Sequence, residues 1–133
     1  MVDLKGFQRM LQRQRVAIEG FYQGDPEAYL SLYAVLDPVS AFDAFGGSAV
    51  GWHNVAAVIR RTAARFSQAD NVIFEVAAID VGTDMAYTVG YERCDVSIDR
   101  GPLVPVTIRA THTYRMERGD WRIAHRAADF ALA

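Results

Sequence analysis

Cysteine is almost absent from this sequence of 133 residues, in which Cys94 stands alone. A single cysteine excludes a disulfide within the chain and a metal cluster held by several thiolates. The N-terminal stretch Met1–Lys5 is not followed by a long apolar run, so the sequence predicts neither a signal peptide nor a membrane span. A cytoplasmic protein is the expected default.

An excess of basic charge is also missing, because 14 Lys and Arg residues face 16 Asp and Glu residues, for a net charge of -2. No basic stripe with interleaved aromatics appears, which argues against a nucleic-acid partner. Arg9, Arg13 and Arg15 are interpreted as a solvated helix face. What is present is a hydrophobic share of 51% and an aromatic share of 11%. This composition predicts one folded domain over residues 1–133.

The N-terminal half has the apolar spacing of helices. Residues 4–23 repeat their apolar positions at helical intervals, and Gly24 is predicted to end this helix. A shorter helix is predicted over 26–35, an extended run over 39–45, and a third helix from about Asn54.

The C-terminal half has the pattern of strands. Segments 72–81, 85–98, 104–117 and 121–130 are rich in β-branched or alternating residues and are separated by tight turns. Helices followed by sequential strands predict an α+β fold, in which an antiparallel meander is covered by helices on one face.

Three segments carry a family resemblance, namely Gly24–Tyr29 (GDPEAY), Ala86–Glu92 (AYTVGYE) and Gly119–Arg126 (GDWRIAHR). In this element order they resemble the nuclear transport factor 2-like superfamily, in its SnoaL-like and ketosteroid-isomerase-like branch. The resemblance implies a cone-shaped, strongly curved antiparallel sheet wrapped around about three N-terminal helices and enclosing a pocket. It does not imply one reaction, because the superfamily includes isomerases, cyclases, dehydratases, hydrolases and non-enzymes.

The same resemblance suggests Asp43 and His112 as catalytic residues. Asp43 matches the isomerases' catalytic aspartate, and an apolar cavity would raise its pKa toward that of a useful base. The alternative is that Asp43 caps the turn at Gly46-Gly47 or faces water. His112 matches a second acid that donates to the substrate oxygen. However, Ala17 stands where the isomerases have a tyrosine, so the usual steroid isomerase is not expected.

His112 is predicted to point inward because it shares a strand face with Ala110, Tyr114 and Met116. A neutral imidazole there can donate to a carbonyl oxygen or relay a proton. The alternative is a core histidine whose hydrogen bonds are satisfied by a tyrosine hydroxyl or a backbone carbonyl.

Further residues are expected to line the pocket. Gln14 is the polar residue on the apolar face of the first helix, where it either reaches the cavity or lies at a helix edge facing water. His125 shares alternating positions with Trp121 and Ile123. The remaining lining candidates are Tyr33, Trp52, Tyr87, Val89, Tyr91 and Tyr114. His112 with His125 is too thin a set for a metal site, so neither a metal nor another cofactor is predicted.

Three functions fit these residues. An enzyme would use Asp43 to remove a proton beside a carbonyl, with His112 and Gln14 or a tyrosine stabilising the enolate oxygen. A binding module would hold a small apolar or carbonyl-containing molecule in the same pocket without reaction. A scaffold would form a homodimer through the outer strand face, expected at Ala86, Thr88 and Gly90. A homodimer is compatible with all three.

Overall fold

The computed structural model describes residues 1–131 and confirms the predicted α+β order. The helices are α1 (Leu4–Tyr22), α2 (Glu27–Leu30) and α3 (Trp52–Ala63). The strands are β1 (Ser40–Phe42), β2 (Ser48–Val50), β3 (Phe66–Val81), β4 (Met85–Ile98), β5 (Leu103–Glu117) and β6 (Asp120–Phe130).

Local chemistry sets both ends of α1. The Asp3 carboxylate accepts a hydrogen bond from the Gly6 amide at 2.9 Å, which satisfies one of the free amides of the first turn. The helix ends before Gly24, whose φ of 94° lies in the left-handed region. A Cβ at Gly24 would also lie 2.5 Å from the carbonyl oxygen of Phe66. Glycine is therefore required there, as the sequence pattern indicates.

The second helix is shorter than predicted because the sheet captures the chain that follows it. Tyr33 forms a parallel bridge with Ile123 of β6. The Ala34 amide donates to the Ile123 carbonyl, and the Ile123 amide donates to the Leu32 carbonyl, both at 2.8 Å. These backbone groups have no further helical partner, so α2 stops at Leu30.

The six strands form one curved, unclosed sheet in the order β2-β1-β6-β5-β4-β3. Strands β3 to β6 form the predicted antiparallel meander. The sheet is mixed, however, because β1 pairs in parallel with β6, and this corrects the expectation of a purely antiparallel sheet. Strand β2 was not predicted as a separate element; it is a three-residue return strand beside β1.

Helix α1 packs on the inner face of the sheet and supplies much of the core. Phe7 makes edge-to-face contacts with Tyr114 (centroids 4.8 Å apart) and Trp121 (5.3 Å). Phe21 and Tyr22 contact Phe66 at the start of β3. This burial of aromatic area is the main stabilising contribution at the centre of the fold.

One irregularity in β6 decides which side chains enter the core. Pairing with β5 shifts between His125, opposite Thr113, and Ile123, opposite Tyr114, so Ala124 is an extra residue. Before this β-bulge the inward residue is Ile123; after it, Arg126 is buried and His125 is half-buried. The bulge thus reverses the alternation of the strand.

Within residues 1–131, no helix has the length and apolar character needed to cross a membrane. A cytoplasmic location and a single domain over 1–133 stay predictions.

Candidate functional site

A group of polar side chains lies buried between α1, the chain around α2 and strands β4 to β6. We call it the interior polar cluster, and it consists of Gln14, Tyr22, Tyr29, Tyr33, Thr88, Glu92, His112, Tyr114 and Arg126. All nine residues are at least 95% shielded from solvent. Buried polar groups are costly unless they are paired, so their hydrogen bonds determine what the cluster can do.

The charged members, Glu92 and Arg126, form a two-pronged ion pair. Arg126 Nη1 lies 2.6 Å from Glu92 Oε2, and Nη2 lies 2.8 Å from Oε1. Tyr22 donates the third hydrogen bond that the Glu92 carboxylate accepts, to Oε1 at 2.5 Å. Burial alone would raise the pKa of Glu92, but the charge and hydrogen bonds of Arg126 outweigh it and lower that pKa. Glu92 is therefore a paired carboxylate with little capacity to accept a proton.

His112 sits beside this ion pair and is held neutral. Its Nε2 lies 2.7 Å from the Tyr29 hydroxyl and 3.3 Å from Arg126 Nη1. The Tyr29 hydroxyl in turn accepts from the Tyr33 hydroxyl at 3.0 Å. Burial, followed by the Arg126 charge, lowers the pKa of His112 to about 3. Because Nε2 faces these donors it acts as the acceptor, and the ring proton belongs on Nδ1.

Three buried donors lack an acceptor among the described residues. Tyr114 donates to Gln14 Oε1 at 2.6 Å, and its hydroxyl lies 3.1 Å from that of Thr88. The other end of the amide, Gln14 Nε2, has no partner, and neither does His112 Nδ1. A third unpaired donor, Trp121 Nε1, is beside Phe7. Each unpaired buried donor invites an oxygen acceptor, either water or part of a ligand.

The structure brings together four of the residues predicted from sequence. Gln14, Tyr33, His112 and Tyr114 all belong to the interior polar cluster. The inward orientation of β5 is therefore confirmed. The alternative for His112, a core histidine bonded to a tyrosine hydroxyl, describes its Nε2 side, whereas its Nδ1 side stays open to another partner.

Asp43 lies elsewhere, in the turn that follows β1. Its Oδ2 accepts from the Phe45 amide at 3.0 Å, and its own amide donates to the Gly47 carbonyl at 2.7 Å. It lines a hollow of about 380 Å³ together with Arg61 and Arg65. This geometry agrees with the alternative in which Asp43 caps the turn at Gly46-Gly47. The hollow beside Asp43 is not lined by His112. The role of Asp43 as a base stays a prediction.

The expected aromatic wall of β4 faces the other way. Tyr87 and Val89 are exposed by 42% and 39%, and Tyr91 lies on the same outer face. The inward residues of β4 are Ala86, Thr88, Gly90 and Glu92, so the predicted dimerisation face is also reversed. Gly90 is required inside because a Cβ there would lie 1.9 Å from the Glu75 carbonyl oxygen. Both faces of β4 carry apolar residues, and hydrophobicity alone selects the wrong one.

His125 and Trp52 also lie outside the cluster. The β6 bulge turns His125 to the outer face, where its Nδ1 lies 2.7 Å from the Ser40 hydroxyl and its ring contacts Phe42. The expectation that His125 faces inward is wrong for this reason. Since His112 and His125 are on opposite faces, they do not converge on one metal ion. Trp52 is half-buried at the start of α3.

Side chains fill the interior polar cluster, and the hollows described in residues 1–131 open at the surface around it. One of about 440 Å³ separates α1 from α2 and is lined by Val16, Ala17 and Leu32, among others. Another, of about 460 Å³, is on the outer sheet face beside Val89 and Thr111. The predicted enclosed pocket is therefore closed by side chains in this conformation.

Sequence reasoning missed Glu92 and Arg126, which form the centre of the cluster. One signal was available: Glu92 continues the alternation of Thr88 and Gly90, a face whose small residues leave room for larger partners. No local signal marked Arg126, because its inward position depends on the bulge at Ala124.

The sequence of this chain identifies its protein family. The family described as SnoaL-like domain matches residues 15–132, nearly the whole chain. The chain belongs to the SnoaL-like domain family. The predicted resemblance is thereby confirmed, and the interior polar cluster belongs to the part of the SnoaL-like domain bounded by α1 and the sheet. No curated protein matches the chain.

Solved structures show the same fold. A ketosteroid isomerase-like protein from Erwinia carotovora atroseptica has a TM-score of 0.78 at 14% identity, covering 98% of this chain and 97% of its own. A nuclear transport factor 2-like family protein from Streptomyces avermitilis has a TM-score of 0.77 at 20% identity, covering 98% and 97%. A cystatin-like domain of unknown function from Nostoc punctiforme has a TM-score of 0.76 at 12% identity, covering 98% and 80%.

Proposed function

We propose that this SnoaL-like domain binds a small, largely apolar molecule by a neutral oxygen acceptor, such as a carbonyl group, in the interior polar cluster. The supporting observation is the pair of buried donors, Gln14 Nε2 and His112 Nδ1, that have no acceptor among residues 1–131. Leaving a buried donor unpaired costs about 1–3 kcal/mol, and an acceptor that reaches it recovers this free energy. A carbonyl oxygen accepts up to two such bonds.

The charge balance of the cluster favours a neutral ligand. Glu92 and Arg126 neutralise each other through two hydrogen bonds, and His112 is uncharged. A charged ligand would lose its hydration without meeting an unpaired counter-ion inside the domain. A neutral molecule with one polar end avoids this cost.

Binding fits the geometry better than proton abstraction does. The Asp43 carboxylate is engaged in its own turn, and Glu92 accepts from Arg126 and Tyr22 on both oxygens. Neither carboxylate is free beside His112. The enzyme alternative can be measured directly as deuterium uptake at the methyl carbon of acetophenone in heavy water. Uptake accelerated by the protein and lost in Asp43→Asn would establish the alternative.

The binding proposal is tested with two probes of equal shape, acetophenone and α-methylstyrene, which differ in having a carbonyl or a methylene group. We expect acetophenone to bind about tenfold more tightly, which corresponds to one recovered hydrogen bond of roughly 1.4 kcal/mol. We also expect it to shift the Nδ1–H resonance of His112 in nitrogen-15 spectra.

A matched pair of variants separates the unpaired donors from the rest of the network. Gln14→Leu removes the donor Nε2 and a partner of Tyr114, whereas Thr88→Val removes only a partner of Tyr114. The preference for acetophenone should fall in Gln14→Leu and persist in Thr88→Val. Equal affinity for both probes in the unaltered protein would refute the proposal.

A second candidate function, homodimerisation, is favoured by the outer face of the sheet. Large apolar residues are exposed there, including Phe42 (52%), Tyr87 (42%) and Val89 (39%). Exposed apolar patches of this kind mark interaction surfaces. Val89→Lys should leave a monomer in sedimentation velocity experiments under conditions where the unaltered protein is a dimer. Val16→Lys, at an exposed site on α1, is the control. A protein that is monomeric before substitution contradicts this candidate.

A further inference from the structure

A hollow between α1 and β3 lies next to the interior polar cluster. It measures about 270 Å³ and is lined by Arg15, Val16, Glu19, Val72, Ile73 and Phe74. Its walls are apolar where β3 forms them. At the helix side, Arg15 and Glu19 supply one charge of each sign, so the hollow has no net preference for an ion. The β3 side of the hollow is thus suited to the apolar body of a neutral molecule.

Phe74 contacts both this hollow and His112. Phe74 lines the hollow, yet the residue is only 5% exposed. On the inner side its ring meets the imidazole of His112 nearly at a right angle, with centroids 6.0 Å apart. The buried Nδ1 donor without an acceptor belongs to this same imidazole. Phe74 therefore borders the hollow and also contacts the imidazole that carries the unpaired donor.

Arg15 holds Phe74 in this position from the solvent side. Its Nη1 donates to the Phe74 carbonyl oxygen at 2.7 Å, and its guanidinium carbon lies 5.6 Å from the centre of the Phe74 ring. The anchor is an exposed residue of α1. A substitution of Arg15 therefore removes the anchor without changing a buried residue.

The strand around Phe74 is paired with the sheet on one side. Strand β3 is at the edge of the sheet, so only β4 pairs with it. Its register with β4 shifts between Asp70 and Ile73 and again between Val76 and Ala78. Bulges of this kind interrupt the hydrogen-bonded ladder and bend the strand. We therefore expect the short regular segment that carries Phe74 to move at a lower free-energy cost than a central strand.

We infer that the hollow is the outer part of the ligand site and that Phe74, anchored by Arg15, is the partition that must move aside for a ligand to reach His112. This rests on the proposed binding function and defines its ligand further. The molecule carries its oxygen acceptor at one end, directed to the imidazole Nδ1, and an apolar body that remains against Val72, Ile73 and the displaced Phe74 ring.

The association rate of acetophenone tests the partition. If the open state is populated at about 10% or less, removing the ring should raise the association rate by at least about tenfold. Phe74→Ala is expected to give this increase. Phe66→Ala is the matched control, because Phe66 is a buried phenylalanine of the same strand that packs on Phe21, Tyr22 and Phe45. It should leave the rate unchanged.

A surface variant covers the case in which Phe74→Ala does not fold. Arg15→Ala removes the anchor and should raise the association rate by a smaller factor. Arg13→Ala, another exposed arginine of α1, lines a different hollow and should have no effect. Unchanged rates in both Phe74→Ala and Arg15→Ala, or an equal rise in Phe66→Ala, would overturn the partition.

The outcomes also separate this inference from the proposed function. If the two probes bind alike in Phe74→Ala, the hollow admits molecules but the interior donors do not recognise the carbonyl, and the proposed function fails. If the carbonyl preference is present and depends on Gln14, but the rates do not respond to Phe74 or Arg15, the function stands and the ligand enters elsewhere.

Discussion

Acidification should destabilise this protein through His112 well above the pH at which its carboxylates protonate. In the folded state, burial and the neighbouring Arg126 lower the pKa of His112 to about 3 from the ordinary value of 6.5. Below pH 6.5 the unfolded chain binds a proton at this imidazole and the folded chain does not. Stability is therefore complete above about pH 6.5 and declines as pH falls toward about 3, the sign expected for a histidine buried in its neutral form.

The magnitude follows from the two pKa values. Between them, each pH unit costs about 1.4 kcal/mol for one proton taken up by the unfolded state. From pH 7 to pH 5 the loss is about 2 kcal/mol, because the first part of this interval lies above the unfolded pKa. A change of this size is a large fraction of the stability of a domain of this length.

Urea unfolding at half-unit steps from pH 7.5 to pH 4.5 measures this loss. In His112→Gln the dependence on pH should flatten by about 2 kcal/mol over the same interval. His53→Gln, which removes an exposed imidazole, is the control and should keep the original slope. The reasoning is refuted if His112→Gln and the unaltered protein have parallel curves. It is equally refuted if the His112 ring resonances titrate near pH 6.5 in the folded protein.

Further substitutions probe the rest of the interior. Glu92→Gln should reduce the free energy of unfolding by roughly 3–5 kcal/mol because it leaves the Arg126 charge buried without a partner, and adding Arg126→Met should restore much of this in urea melts. Tyr22→Phe removes one hydrogen bond to the Glu92 carboxylate and should cost about 1–3 kcal/mol by the same assay. Gly90→Ala should cost roughly 1–3 kcal/mol or prevent folding, since its Cβ would meet a backbone carbonyl. In contrast, Gly47→Ala, with no atom nearer than 3.5 Å, should be nearly neutral in thermal melts.

Most of the fold was predictable because its signals are local. The periodicity of residues 4–23 and the glycine at position 24 define α1. The turns at 82–84, 99–102 and 118–120 separate the long strands. Regular alternation along β5 correctly placed His112 and Tyr114 inside. These features depend only on neighbours in sequence.

The candidate site was only half predictable because its other half depends on pairing between distant strands. On β4, both faces are apolar enough to be buried, so Tyr87 and Val89 were assigned inward in place of Thr88 and Glu92. On β6, an extra residue reverses the alternation at Ala124, which places Arg126 rather than His125 inside. A long-range ion pair between two strands leaves no mark on the local sequence of either.

The extra residue at Ala124 makes the register of β6, rather than residue type, the determinant of interior chemistry. Deleting Ala124 would make the pairing with β5 continuous and would keep Arg126 opposite His112, whereas retaining Ala124 in a regular ladder would bring the His125 imidazole inside in place of the guanidinium. The bulge thus allows a strand that is one residue longer to keep the Arg126 guanidinium beside Glu92. A sequence alignment of relatives across β6 should therefore match the inward-facing positions first and the residue types second.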